Sequence, residues 1–209
     1  MKKLFVTIPV TLYTFFLFSQ SAINDTDKKV HFGFNVGTNY SLLHSKESLP
    51  NNTEIYNGIG LKLGLLMDYT ISSRFIFSPK TELSFNRSGV ESTYLDNTVW
   101  TYKVFPISLD IMTHFVYKLS ENKTVPYLLF GPNLRLPVKN TFDSSGSTTE
   151  FRNRPDFALD FGIGLENRLK HFVFAPELRY SLGLLDLNQN PSLRSLHYHN
   201  ISLVLNFKQ

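Results

Sequence analysis

Alternation of apolar and polar residues constrains this chain more than any other feature. In residues 30–43 the even positions read Val30, Phe32, Phe34, Val36, Thr38, Tyr40 and Leu42, and the odd ones His31, Gly33, Asn35, Gly37, Asn39 and Ser41. A helix cannot use a period of two over a dozen positions, whereas a strand with two different faces requires it. Residues 58–71 repeat the pattern: Ile59, Leu61, Leu63, Leu65, Met67, Tyr69 and Ile71 share one face, and Gly58, Gly60, Lys62, Gly64, Asp68 and Thr70 the other. In residues 75–87, Phe75, Phe77, Thr81, Leu83 and Phe85 oppose Ser78, Lys80, Glu82, Ser84 and Asn86. Residues 156–167, 172–184 and 200–207 alternate likewise, while 99–118 and 124–139 are strand-like with more interruptions. Pro106 and Pro132 fall in those two runs, where a missing N–H predicts a bulge or a change of register.

These runs predict eight strands, an even number. Residues 44–57, 88–98, 140–155 and 185–195 are long, polar connections, and 72–74, 119–123 and 168–171 are short turns. A meander of this kind carries its long loops at one end and its tight turns, with both termini, at the other. An internal echo points to repeated hairpins. Gly58-Ile59-Gly60-Leu61-Lys62 precedes Phe75-Ile76-Phe77-Ser78-Pro79, and Gly162-Ile163-Gly164-Leu165-Glu166 precedes Phe172-Val173-Phe174-Ala175-Pro176.

A soluble sandwich also alternates, but its exposed face is polar. Here the apolar faces are long and nearly free of charge, while the glycine-rich face carries Lys62, Asp68, Lys80, Glu82, Asp110, Asp160, Glu166, Glu177 and Arg179. Turning the apolar face outward and the polar face inward satisfies the pattern in lipid, and closing the sheet leaves no backbone donor facing the hydrocarbon. The fold class expected is all-β, an eight-stranded antiparallel up-and-down transmembrane β-barrel with long extracellular loops and short periplasmic turns. A secreted lipocalin-like barrel is the alternative, and its calyx would need an apolar interior that these strands do not supply. Strands of this length exceed the roughly 9–11 residues that cross a bilayer, so several should project past the outer surface.

Composition agrees. The chain is 42% hydrophobic and 14% aromatic, and its 18% charged content excludes a highly charged disordered tail. Cysteine is absent, which excludes a disulfide scaffold, a thiolate metal site, a thiol nucleophile and a lipoprotein anchor. No Lys/Arg cluster accompanies the net charge of +4, so nucleic acid is not an expected partner. Met1-Lys2-Lys3, an apolar run over 4–18 and Ser19-Gln20-Ser21 have the form of a secretory signal peptide, the run being too short for a membrane helix. The expected organisation is a cleaved signal peptide at 1–21, a short periplasmic segment at 22–29 and the barrel domain at 30–209, exported by the Sec route to the bacterial outer membrane. Cleavage lowers the formal charge to +2.

An eight-stranded barrel is just wide enough for its side chains to fill it. Isolated buried charges cost several kcal/mol each, so Lys62, Lys80 and Arg179 should pair with Glu82, Asp160, Glu166 and Glu177 as a lumen plug. A gated or proton-conducting path is the sharper alternative. Lys80 with Glu82, and Glu177 with Arg179, stand two apart on inward faces and read as structural pairs.

Several stretches resemble the small outer-membrane β-barrel family of Bacteroidetes-type bacteria to which PorT belongs. They are Phe77-Ser78-Pro79-Lys80-Thr81-Glu82-Leu83, Pro126-Tyr127-Leu128-Leu129-Phe130-Gly131-Pro132, Phe161-Gly162-Ile163-Gly164-Leu165-Glu166, Phe174-Ala175-Pro176-Glu177-Leu178-Arg179-Tyr180 and the closing Asn200-Ile201-Ser202-Leu203-Val204-Leu205-Asn206-Phe207. The resemblance implies an eight-stranded barrel, and for PorT itself a link to type nine secretion and gliding. It transfers no functional residue. The chain departs from the usual barrel ending, an aromatic last residue, because Lys208-Gln209 follow Phe207.

Candidate chemistry is sparse. His197 and His199 share one strand face near the outer rim and form a possible transition-metal pair without a third ligand. His31, His44, His114 and His171 are scattered, and no Ser-His-acid spacing supports an outer-membrane acyl hydrolase. Tyr94, Trp100 and Tyr102 fit an interfacial aromatic girdle, with a ligand-stacking surface as the alternative. We expect no catalytic residue, cofactor or metal. The expected function is a structural or interaction role, with a secretion or gliding component, a lipid-modifying enzyme and a small-solute channel as alternatives. Expected partners are outer-membrane lipid and lipopolysaccharide, the barrel-assembly machinery during insertion, and other envelope or secretion-system proteins.

Overall fold

In a computed structural model of the chain, the described residues form twelve strands. The structure describes residues 29–45, 49, 52–93, 99–139, 142–143, 154–187 and 195–209. The expectations for 1–21 and 22–28, for Tyr94, and for most of 140–155 and 185–195 lie outside these residues, as does the side chain of Trp100.

Eight strands close into one barrel: β1 (Val30–His44), β3 (Gly58–Thr70), β4 (Phe75–Phe85), β7 (Ile107–Lys118), β8 (Thr124–Lys139), β10 (Asp156–Arg168), β11 (Val173–Gly183) and β12 (His197–Lys208). Each pairs antiparallel with its neighbours in chain order, and β12 closes on β1 from Gly33↔Lys208 to His44↔His197. Backbone bonds between Phe32 and Gln209, 3.1 and 2.8 Å, extend the closure. The short turns 71–74, 119–123 and 169–172 gather at one end of the barrel, which the antiparallel strand order sets opposite the strand ends at His44, Gly58, Phe85 and Ile107.

The alternation explains which way each side chain points. Ile59, Leu65 and Phe32 are 70, 70 and 65% exposed on the outer wall, whereas Lys62, Glu82 and Arg179, at 0%, face inward. Glycine on the inner face makes room for bulk. A Cβ on Gly164 would lie 2.2 Å from Cζ of Tyr127, the residue directly across in β8. One on Gly64 would lie 2.6 Å from Cγ of Glu82. Gly164→Val should therefore displace the Tyr127 ring and cost about 1–3 kcal/mol through overpacking. Urea unfolding in detergent, followed by heat-modifiable gel migration, reads that cost; a wild-type midpoint would contradict it.

Three expectations need correction. The run 99–118 is two strands rather than one. β6 (Val99–Lys103) leaves the barrel wall at 104–106, where Phe105 takes a left-handed φ of 48° immediately before Pro106. The pairing of β7 with β8 also shifts by one residue at Ile107/Ser108. Pro132, in contrast, produces no register change: the ladder has a gap opposite Thr113 and His114, then resumes unshifted at Phe115↔Phe130. A missing N–H removes a bond without inserting a residue. Thirdly, the long connections are not wholly irregular. β2 (Thr53–Tyr56), β5 (Gly89–Thr93), β6 and β9 (Phe142–Asp143) build a four-stranded sheet beyond the loop end, in the order β2-β5-β6-β9.

An apolar cluster of Leu43, Val90, Val104, Phe105, Leu187, Leu196 and Tyr198, with Ile55 and Tyr102 packed against it, sits between this extension and the barrel. Tyr102 thus turns into a packed cap instead of joining a lipid-facing girdle, because it shares a sheet row with Val90.

Candidate functional site: the charged lumen

The inward faces of eight strands meet in a space that side chains alone can fill. Among the described residues, six cations and seven carboxylates are buried there. Desolvating so many charges is tolerable only if they find partners, and for all but Asp160 the geometry supplies opposite charges in chains of alternating sign. Lys80 Nζ lies 3.0 Å from Glu177, and Glu177 lies 2.7 Å from Arg179 Nη2. Arg179 grips Glu82 with two parallel bonds of 3.0 Å. Lys62 stands 3.5 Å from Glu82 and 3.0 Å from Asp110. Arg135 then links Asp110, at 3.4 Å, to Asp156, at 2.8 Å.

Strand order gives this chain its mechanical meaning. β4 and β11 stand four places apart in the closed order of eight, so they face each other across the lumen. Lys80–Glu177 and Glu82–Arg179 both join these opposite walls. Asn35 adds a 3.0 Å bond to Glu82 from β1, and Tyr127 a 3.1 Å bond to Glu177 from β8.

A second alternating set closes the turn end. Lys118 bonds Glu166 at 2.7 Å, Lys208 lies 3.6 Å from Glu166, and Lys208 bonds Asp68 at 2.6 Å. Below it opens a polar cavity of about 440 Å³ lined by His31, Asp68, Lys118, Glu166, Arg168 and Lys208, among others. At the loop end the Arg135 guanidinium stacks 4.4 Å from the Tyr198 ring centroid, directly under the apolar cap.

All nine charges singled out by parity have buried side chains in this space, but their pairing differs from a simple cation-to-carboxylate match. Lys80 and Glu82, neighbours on β4, each bond across to β11. Asp160 takes no lysine; it bonds His114 Nε2 at 2.9 Å and Asn133 at 3.2 Å. Sequence reading missed Arg135, Asp156, Lys118 and Lys208. The last two end their strands, where a lysine looks like a solvated terminus. Arg135 and Asp156 are direct partners across β8 and β10, a signal visible only once that register is known.

The histidines separate. His31 and His171 line the turn-end cavity, and His114 is wholly buried. His44 lies opposite His197 in the β1–β12 register, and His199 stacks on Tyr180 with centroids 6.1 Å apart. Among the described residues, no three His, Cys, Asp or Glu side chains are placed to hold a metal ion.

An inverted eight-stranded barrel with a charged interior has relatives. The sequence matches the family described as outer membrane protein beta-barrel domain over residues 18–189. The chain belongs to that family. Its fold is similar to OprG from Pseudomonas aeruginosa, with a TM-score of 0.52 and 13% identity over 86% of this chain and 91% of that one. It is likewise similar to Neisserial surface protein A, at 0.52 and 12% over 85% of this chain and 95% of the other. No curated protein shows significant sequence similarity to it. Membership in this outer membrane beta-barrel family, together with the apolar outer wall, places the protein in the bacterial outer membrane.

Proposed function

We propose that this protein is a non-enzymatic outer-membrane barrel with a structural or interaction role, its lumen closed by its own side chains. One observation carries the reading: the Arg179–Glu82 and Lys80–Glu177 pairs join opposite walls, so the middle of the barrel holds braces rather than a bore. Contacts with other molecules then fall to the lipid-facing wall and the two ends. Lipid and lipopolysaccharide cover the wall, and the barrel-assembly machinery acts during insertion after export directed by residues 1–21. The loop end, with its extension sheet, faces outside, and the turn-end cavity faces the periplasm. Envelope or secretion-system proteins are the partners that surfaces of this kind would meet.

The purified protein in planar lipid bilayers should give no conductance steps in KCl. Stepwise openings in the wild type would overturn the closed-lumen reading and favour a small-solute channel. Lipid chemistry is disfavoured because the His114–Asp160 pair is 0% exposed inside the barrel, where an acyl chain cannot reach it. Cleavage of labelled lipopolysaccharide or phospholipid by the purified protein would count against this.

A second reading, a PorT-like component of the type nine secretion or gliding machinery, rests on the resemblance of stretches such as Phe174-Ala175-Pro176-Glu177-Leu178-Arg179-Tyr180 to that family and on no functional residue. Deleting the gene should then abolish export of that system's cargo; an unchanged secretome removes this version.

A further inference from the structure

The ion pairs leave some buried polar atoms over, on the inward faces of β1, β7, β8 and β12. Asn206 Oδ1, Asn35 Oδ1, His114 Nδ1, Asn133 Oδ1, Asn39 Oδ1 and Arg135 Nη2 are buried without a hydrogen-bond partner among the described residues. Each belongs to a side chain anchored elsewhere. Asn206 bonds Glu177, Asn35 bonds Glu82, and His114 and Asn133 bond Asp160. Asn39 bonds Asn86, and Arg135 bonds Asp156. The leftover atoms are therefore held in fixed positions from the Glu177 brace to the underside of the cap. Buried groups of this kind in folded proteins are satisfied by ordered water.

Arg135, the last of them toward the loop end, lies against the apolar cluster of Leu43, Val104, Phe105, Leu187, Leu196 and Tyr198. Phe105 holds the least comfortable backbone there, since a side chain other than glycine is disfavoured at a φ of 48°. Its ring is completely buried, meets Tyr198 edge-on at 5.5 Å and lies 5.7 Å from the Arg135 guanidinium. Asn86 Nδ2 ties down its carbonyl at 2.8 Å. Ile55 of β2 and Tyr102 of β6 pack on the same cluster, which couples the extension sheet to the cap.

We propose that the lumen is a hydrated proton path, closed to other ions by the cross-lumen braces and gated by the Phe105 cap. A proton hops along hydrogen-bonded waters that these amide and guanidinium groups hold in place, without passing through the groups themselves, and needs no free bore. A hydrated potassium or chloride ion needs the space that Arg179 and Glu82 occupy. An apolar constriction breaks the water file by dewetting, so the path is shut at rest. The proposal rests on the closed-lumen reading and adds a state in which the cap is lifted.

The test uses full-length protein in liposomes that hold a trapped pH-sensitive dye, with potassium and valinomycin to discharge the membrane potential. Wild-type vesicles should admit protons no faster than empty ones. Phe105→Gly removes the ring yet accepts the left-handed backbone. It should speed proton entry on the order of tenfold while potassium and chloride conductance in planar bilayers stays at baseline. Leu196→Ala thins the same cap without altering 104–106 and should act in the same direction. Adding Asn35→Leu and Asn133→Leu to Phe105→Gly should return the rate to baseline. Phe105→Gly and Leu196→Ala proteins that migrate as folded barrels yet admit protons at the wild-type rate would overturn the proposal. Potassium passing with the protons would also overturn it. A wild type that conducts potassium would instead sink the closed-lumen reading itself.

Discussion

Replacing Arg179 with methionine should be the most damaging single change in the lumen, costing about 3–5 kcal/mol of stability. The guanidinium is wholly buried and holds Glu82 bidentately and Glu177 through Nε and Nη2, at 2.7 to 3.0 Å. Methionine has a similar length but leaves two buried carboxylates facing each other across the lumen with one cation fewer. Lysine keeps the charge and loses the fork, so Arg179→Lys should recover only part of the loss. The decisive comparison is the double variant Arg179→Met with Glu82→Gln. Glu177 keeps Lys80 and Lys62 keeps Asp110, so each remaining charge stays paired. The double variant should therefore unfold at higher urea than Arg179→Met alone. If it unfolds at lower urea, as for two independent additive losses, the chain of alternating charges is not acting as a connected unit.

How far the sequence foretold this depended on whether the signal was local. Parity alone sorts Lys62 from Leu61 and Leu63, and Glu177 and Arg179 from Leu178, because a strand fixes the face of each residue relative to its neighbours. Even strand number and alternating loop length lead from there to an up-and-down barrel. Pairing across the lumen is a different kind of information. That Glu82 meets Arg179 rather than Lys80 follows from β4 and β11 standing on opposite walls, which depends on closure of the whole sheet. The extension sheet was illegible for another reason. β2, β5 and β6 have only four or five residues each, too few for a period to emerge from polar loops. Phe105 carries no sequence mark of its left-handed backbone beyond the proline that follows it. The ending Phe207-Lys208-Gln209 became intelligible only in three dimensions. Phe207 stacks outward on Phe34 at 5.1 Å, while Lys208 reaches inward to Asp68.

On the outer wall, Leu63→Arg should destabilise the barrel by about 2–4 kcal/mol, the depth-dependent cost of a cation at the bilayer midplane. Leu63 sits midway along β3, between Val36 of β1 and Leu83 of β4, and is 52% exposed. In water that exposure would make arginine harmless or even helpful. In hydrocarbon the guanidinium must snorkel toward a distant headgroup or draw water inward. The same substitution nearer the rim, at Ile59, lies closer to the interface and should cost about 0–1 kcal/mol. Unfolding midpoints for both variants in lipid vesicles, beside Leu63→Met as a volume control, give the gradient directly. Equal effects at Leu63 and Ile59 would mean that the apolar wall is not graded by a bilayer. A Leu63→Arg protein as stable as wild type would remove the physical reason for placing these side chains in lipid.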